Sequence, residues 1–255
     1  MEDIKTKHQV HVPKRVREYM FELLSTFIAV ALAFLSQYYF QYRSDRNTEH
    51  DLMVSLVADL RTDIKNIDEL SSHNNEAEKC AKQIFDICNG NFYAKSNQIK
   101  LYQLTDILTT LALSVNFSQS AINQLKNSGG MHLVTDNKIS NMITDYDNEI
   151  RHLELFTSNV ASYKREFVIS SNTIFYGAGW NISLENDLTD LQFLNKIFQS
   201  TGSALMTSDK YALLKYANNA LIFIGYRLSY SQSSIHQKER ALQLITLIQS
   251  RYHIE

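Results

Sequence analysis

Leu23–Tyr42 reads LLSTFIAVALAFLSQYYFQY, twenty residues without a charge. At 1.5 Å of rise per residue, such a run makes a helix of roughly 30 Å, the thickness of a bilayer's hydrocarbon core. A helix is the only single-segment structure that satisfies its own backbone in lipid. The run contains neither Pro nor Gly. Tyr38, Tyr39 and Tyr42 cluster at its far end, and Tyr19 and Phe21 flank its near end. Both groups suit the headgroup level, where aromatic rings collect. A transmembrane helix over residues 20–42 is therefore expected.

Two other readings compete. A basic segment, an apolar run and Ala31-Leu32-Ala33 would also make a cleaved signal peptide. The apolar run, however, continues past Ala33 through Phe34, Leu35 and Tyr38–Tyr42. Ser25, Thr26, Ser36 and Gln37 temper the hydrophobicity, which leaves room for a core helix of a soluble protein.

Flanking charge sets the orientation. Lys5, Lys7, Lys14, Arg15 and Arg17 precede the run, whereas Arg43 and Arg46 follow it among Asp45, Glu49 and Asp51. The positive-inside rule then puts a short basic segment, residues 1–19, in the cytoplasm. The body after the helix lies outside, in the periplasm if the membrane is the inner membrane of a bacterium. Glu22 reads as an interfacial carboxylate within reach of Arg15 or Arg17. Ser25, Ala29 and Ala33 recur every four residues, a small-residue face that lets two membrane helices pack closely. A homodimer through this face is expected. Ala and Ser are also simply common in such helices.

Composition narrows the rest. The chain has 255 residues and a formal net charge of −2, without the basic face of a nucleic-acid binder. It holds one Pro and seven Gly. Turn-rich β folds need more, so an all-α body is expected. Cys80 and Cys88 are the two cysteines. On one straight helix their α-carbons stand about 12 Å apart, too far for a disulfide, and they match no zinc pattern.

No Gly or Pro occurs from Arg15 to Asn89. Leu52, Leu56, Leu60, Ile64, Ile67 and Leu70 form a helical stripe. The membrane helix is thus expected to run on as a stalk over 43–89. The polar run Ser71–Asn75 offers a break, because Asn75 and Glu78 could cap a new helix. Asn89-Gly90-Asn91 ends the helix. Beyond it, residues 90–255 are expected to form an antiparallel helical bundle packing on the stalk. Its helices span Ser96–Ser114, Ser118–Asn127, Lys138–Asn172 (capped by Asp136 or Asn137), Leu188–Phe198 and from near Ser208-Asp209 to Tyr252. Leu213, Leu214, Leu221, Ile224, Leu228, Ile235, Leu242, Ile245 and Ile248 mark the apolar side of the last. Ser128-Gly129-Gly130 is a tight turn, and Tyr176–Trp180 is the clearest loop.

Two segments carry a resemblance. One is the anchor followed by LMVSLVADLRTDI. The other is Ala121–Ile150, AINQLKNSGGMHLVTDNKISNMITDYDNEI. Together they resemble a family of uncharacterised single-pass membrane proteins common in Bacteroidetes-type bacteria. That family joins a Glu-plus-apolar-helix anchor to a Leu-x-x-Ser-Gly-x-x-x-Leu-Ile turn, here Leu125–Val134. Its paired tyrosines are Tyr146-Asp147 in this chain. Its Gly before the anchor Glu is Phe21, and its Asn-x-Trp is replaced by Gln37-Tyr38-Tyr39. The resemblance covers about 80 residues; it implies an N-terminal anchor and a helical body, and it implies no activity.

Chemistry is sparse. Glu149-x-x-His152 has the spacing of a carboxylate-bridged di-iron site, but no second such motif accompanies it. It reads as a solvated helix face, and His132 as a structural residue beside the turn. No phosphate loop, nucleophile elbow or His-Glu-x-x-His occurs. The expectation is a membrane-anchored, non-enzymatic interaction or sensory scaffold that takes a protein partner and no cofactor, metal or nucleic acid. An accessory subunit of a larger envelope or transport complex is the alternative. A metal-dependent enzyme using His132, Glu149 and His152 is the remote one.

Overall fold

Six α-helices make up most of the computed structural model, which describes residues 14–127, 129–176 and 189–254: α1 (Lys14–Asn89), α2 (Lys95–Thr110), α3 (Ser120–Asn127), α4 (Asn137–Ser171), α5 (Thr189–Thr201) and α6 (Lys210–Tyr252). The expected all-α class is what the chain adopts. Among the described residues the only strand-like feature is one bridge, Phe175 to Leu205. Lys5, Lys7, Ser128, the 177–180 part of the expected loop and Leu188 lie outside the described residues.

The helix ends follow local chemistry. Asp136 caps α4 by accepting hydrogen bonds from the Lys138 and Ile139 amides at 2.9 and 3.3 Å. Asp209 caps α6 through the Tyr211 amide at 2.9 Å. α1 closes on Gly90, whose N–H donates to the Asp86 carbonyl at 2.9 Å. It passes through Ser71–Asn75 without a break. The side chain of Asn74, a turn former on paper, is used elsewhere: its Oδ1 accepts from Arg227 Nε at 2.8 Å. Glu78 pairs with Lys82 at 2.6 Å rather than reaching back to a cap.

α2 stops at Thr110, four residues before the expected Ser114. Leu111 turns extended, with φ −60° and ψ 139°. The next segment finds its hydrogen bonds across the fold. Val115 N–H donates to the Tyr230 hydroxyl at 3.1 Å, and the Asn116 carbonyl accepts from Asn66 Nδ2 at 2.7 Å. Just past the expected helix end, the connection is thus held by partners 50 or more residues away, which no local pattern reveals.

Contacts divide the chain into two compact units, Met1–Asp51 and Leu52–Glu255. In the second unit, named pairs fix the directions of the elements. Asp68 to Lys238 and Asn74 to Arg227 set α6 antiparallel to α1. Asp136 to Arg251 and Tyr163 to Tyr226 set it antiparallel to α4. The segment 95–127 returns beside α1: Asn66 meets Asn116, Asp63 meets Ser118 and Asp59 meets Ala121. The order is up, down, up, down, with the second element broken between α2 and α3.

The stripe Leu52, Leu56, Leu60, Ile67 and Leu70 is buried, so this part of α1 is a wall of the bundle. One core cluster joins Leu52, Leu56 and Leu60 to Ile139, Ile143, Ile150, Leu244 and Ile248, and Ile67 and Leu70 belong to a second. That second cluster also gathers Ile84, Leu101, Leu108, Val160, Phe167, Ala220 and Phe223. At the far end of the second cluster Phe167 stacks on Tyr216 and Phe223, with centroids 5.5 and 6.0 Å apart. The Tyr102 hydroxyl there donates to the Ala204 carbonyl at 2.9 Å and accepts from Tyr176 N–H at 3.1 Å. Cys80 and Cys88 share α1, free and buried, and burial pushes both thiols up, Cys88 to about 12.

On α6 the sequence pattern places Leu213, Ile224, Ile245 and Ile248 correctly on the inner face and misplaces the rest. Leu221, Leu228 and Ile235 are only half-buried, and Leu242 is exposed. The buried line runs instead through Ala220, Phe223, Arg227, Tyr230, Ser234, Gln237, Ala241 and Leu244. Four polar residues, Arg227, Ser231, Ser234 and Gln237, occupy the middle of that face. Hydrophobic periodicity therefore finds both ends of the buried face and reads part of the flank as core along its middle.

Candidate membrane anchor and a buried acidic centre

The candidate anchor is the N-terminal part of α1. Leu23, Phe27 and Phe34 are 75%, 69% and 68% exposed, and Leu24, Ile28, Val30, Leu32, Leu35 and Phe40 are exposed as well. The most apolar window of 18 residues has a mean hydropathy of 1.8, and none of it is buried. One helix here is thus long and apolar enough to cross a membrane. Two of its hydroxyls are satisfied within the helix: Ser25 Oγ and Thr26 Oγ1 both donate to the Glu22 carbonyl, at 2.8 and 2.9 Å. Back-bonding of this kind hides a polar group where water is absent. Tyr19, Tyr38, Tyr39 and Tyr42 are exposed at the two ends. Ser25, Ala29 and Ala33 lie at i, i+4 and i+8 on an unbroken helix, exposed on a common face.

At the expected turn Gly129 has φ +70°, the left-handed region that favours glycine. Gly130 has an ordinary φ but no room: a Cβ there would stand 3.1 Å from Leu125 Cα and 3.3 Å from Leu52 Cδ1. The two glycines serve different needs, one of torsion and one of space. His132 is exposed at the end of the 3-10 turn Gly130–His132.

Sequence reading missed the acidic centre on α1. Asp63 is fully buried. It accepts from Ser118 N–H at 2.6 Å and from the Tyr146 hydroxyl at 2.8 Å. Asp59, one turn earlier, accepts from Ala121 N–H at 2.8 Å. Asp59 thus holds an amide of the first turn of α3 that the helix itself leaves unpaired, and Asp63 holds the Ser118 amide just before that helix. Burial pushes Asp63 up to about 6, the opposing hydrogen bonds from Ser118 and Tyr146 notwithstanding, and the Asp59 charge adds to the rise. Burial and the Asp63 charge likewise hold the Tyr146 hydroxyl above its ordinary range, so it stays a donor. Gln237 Nε2 donates to the Tyr146 carbonyl at 2.8 Å and ties α6 to the same level. The i, i+4 spacing of Asp59 and Asp63 was visible in the sequence; their partners were not.

Asp147 is the electrostatic opposite. Burial raises it, but Lys126 at 2.9 Å and Arg151 outweigh that and hold its carboxyl below the usual range. Glu149 and His152, the di-iron spacing, stand 3.9 Å apart, and Glu149 also pairs with Arg240 at 3.0 Å. Among the described residues no three His, Cys, Asp or Glu side chains gather to hold a metal. No protein-family model, curated protein or solved structure matches the chain.

Proposed function

We propose that residues 20–42 anchor this chain in a bacterial inner membrane, with residues 1–19 in the cytoplasm and the helical body in the periplasm. The body acts as a non-enzymatic interaction or sensory scaffold for a protein partner. One observation carries the reading. Nine large aliphatic and Phe side chains between Leu23 and Phe40 stand exposed. Burying one such side chain is worth about 1.5–3 kcal/mol, so water is the wrong solvent for this helix. The internal hydrogen bonds of Ser25 and Thr26 remove much of the opposing cost. The resemblance to single-pass proteins of Bacteroidetes-type bacteria supports the same arrangement. For the body, support comes from how its ionisable groups are used: Asp59, Asp63, Asp147 and Glu149 each hold one element to another or to its own next turn.

The orientation is tested by fusing alkaline phosphatase after Glu255 in a bacterial host. An active fusion fits the proposal. An inactive fusion, with a cytoplasm-active reporter working at the same site, reverses the orientation. Recovery in mild detergent of a stoichiometric multi-pass partner would favour the accessory-subunit role over a free-standing scaffold.

A further inference from the structure

Arg227 is the largest fully buried side chain in the bundle, 1% exposed. Its Nε donates to Asn74 Oδ1 at 2.8 Å, and its guanidinium carbon lies 5.8 Å from the centre of the Phe223 ring. Those contacts use one N–H and one face. Both terminal nitrogens of Arg227 and the Nδ2 of Asn74 are buried and have no hydrogen-bond partner among the described residues. Three unpaired donors therefore sit around one hydrogen-bonded pair, contributed by α1 and α6. Lys164 on α4 brings a second positive charge. Burial lowers its pKa first, and the Arg227 charge lowers it further. Burial alone pulls Arg227 down, to about 10. Neither cation forms an ion pair with a described residue.

A guanidinium stays charged at any physiological pH. Enclosing such a charge without a counter-charge costs far more than enclosing a neutral polar group. The Phe223 ring offers only its quadrupole to the charge. The donor set has the chemistry of an anion site: buried N–H groups left unpaired, beside a net positive charge. We infer that the Arg227–Asn74 pair, with Lys164 beside it, holds a small inorganic anion of the chloride class inside the bundle. The donors are closed to solvent, so the occupant is small and is taken up as the bundle folds. The inference stands apart from the membrane proposal, since it concerns the second compact unit alone.

The test is the thermal melting of the full-length protein in a non-ionic detergent, in sodium chloride and in sodium gluconate at equal ionic strength. An anion bound only by the folded state stabilises it by mass action. Above the dissociation constant, each tenfold rise in chloride is expected to lower the unfolding constant about tenfold in the wild type. Gluconate, too large for the site, should have no such effect. Arg227→Met, similar in volume and uncharged, should lose the chloride dependence. Lys65→Met, on an exposed ion pair, should keep it. If Arg227→Met does not fold, Asn74→Ala should show a weakened dependence. Crystals of the wild type grown in bromide should carry an anomalous peak at the Arg227 guanidinium. Equal behaviour of the wild type in chloride and gluconate would overturn the inference and leave water or another part of the chain to balance the charge. An undiminished chloride response in Arg227→Met would also overturn it, because the anion would then bind elsewhere.

Discussion

Asp63→Asn gives the sharpest stability test of the bundle. In the folded chain the Asp63 carboxyl is raised from an ordinary 3.8 to about 6. The folded state thus holds this proton more tightly than the unfolded state. The resulting stability is complete below pH ~3.8 and is lost as pH rises through about 6. A rise of about two pH units corresponds to up to ~3 kcal/mol. Asparagine has the same shape, never ionises, and can still accept from Ser118 N–H while offering its amide to the Tyr146 oxygen. Wild type and variant should therefore be nearly equal near pH 4. The variant should gain on the wild type by up to ~3 kcal/mol by pH 7. Urea unfolding followed by far-ultraviolet circular dichroism at several pH values measures the difference, in which the other titrating groups cancel. A difference that is flat with pH, or that falls as pH rises, would refute the reasoning. It would mean that the two hydrogen bonds outweigh burial and that Asp63 is an ordinary ionised acceptor.

Other outcomes follow from the same structure. Gly129→Val, forced to φ +70°, and Gly130→Val, driven into Leu125 and Leu52, should each destabilise the bundle by about 1–3 kcal/mol, read as a lowered thermal midpoint. Cys80 and Cys88 should resist iodoacetamide at pH 8 in the native protein and react in urea, because both thiols are buried and raised. Ala29→Leu with Ala33→Leu should weaken self-association in detergent, measured by analytical ultracentrifugation, while deletion of residues 1–44 should leave a monomer. A stable dimer of the truncated protein would move the interface into the bundle.

The parts of the fold that the sequence discloses are those governed by short-range physics. The Asp136 and Asp209 caps, the stop at Asn89-Gly90 and the exposed apolar run 23–42 all announce themselves within a few residues. Three features do not. Asn74 reads as a helix breaker until Arg227, 153 residues later, takes its side chain. Leu111–Ser114 look helical, but α2 ends at Thr110 and the connection that follows takes its hydrogen bonds from Tyr230, Asn66 and Asp63. The inner face of α6 carries Arg227, Ser231, Ser234 and Gln237, so counting apolar residues selects Leu221, Leu228, Ile235 and Leu242 on its flank. In each case a buried polar side chain or a distant hydrogen bond decides the packing, and hydrophobic periodicity is blind to both. The acidic centre at Asp63 is hidden for the same reason, since two Asp residues four apart on a helix give no sign that one will be enclosed.

Alkaline carbonate extraction of membranes from cells expressing the full chain tests the anchor most directly. High pH strips peripheral proteins and leaves spanning helices in lipid. The account predicts that the full chain stays with the membrane pellet and that a chain lacking residues 1–44 is released into the supernatant. Release of the full chain into the supernatant would contradict it and would return residues 23–42 to the role of a helix that packs against protein.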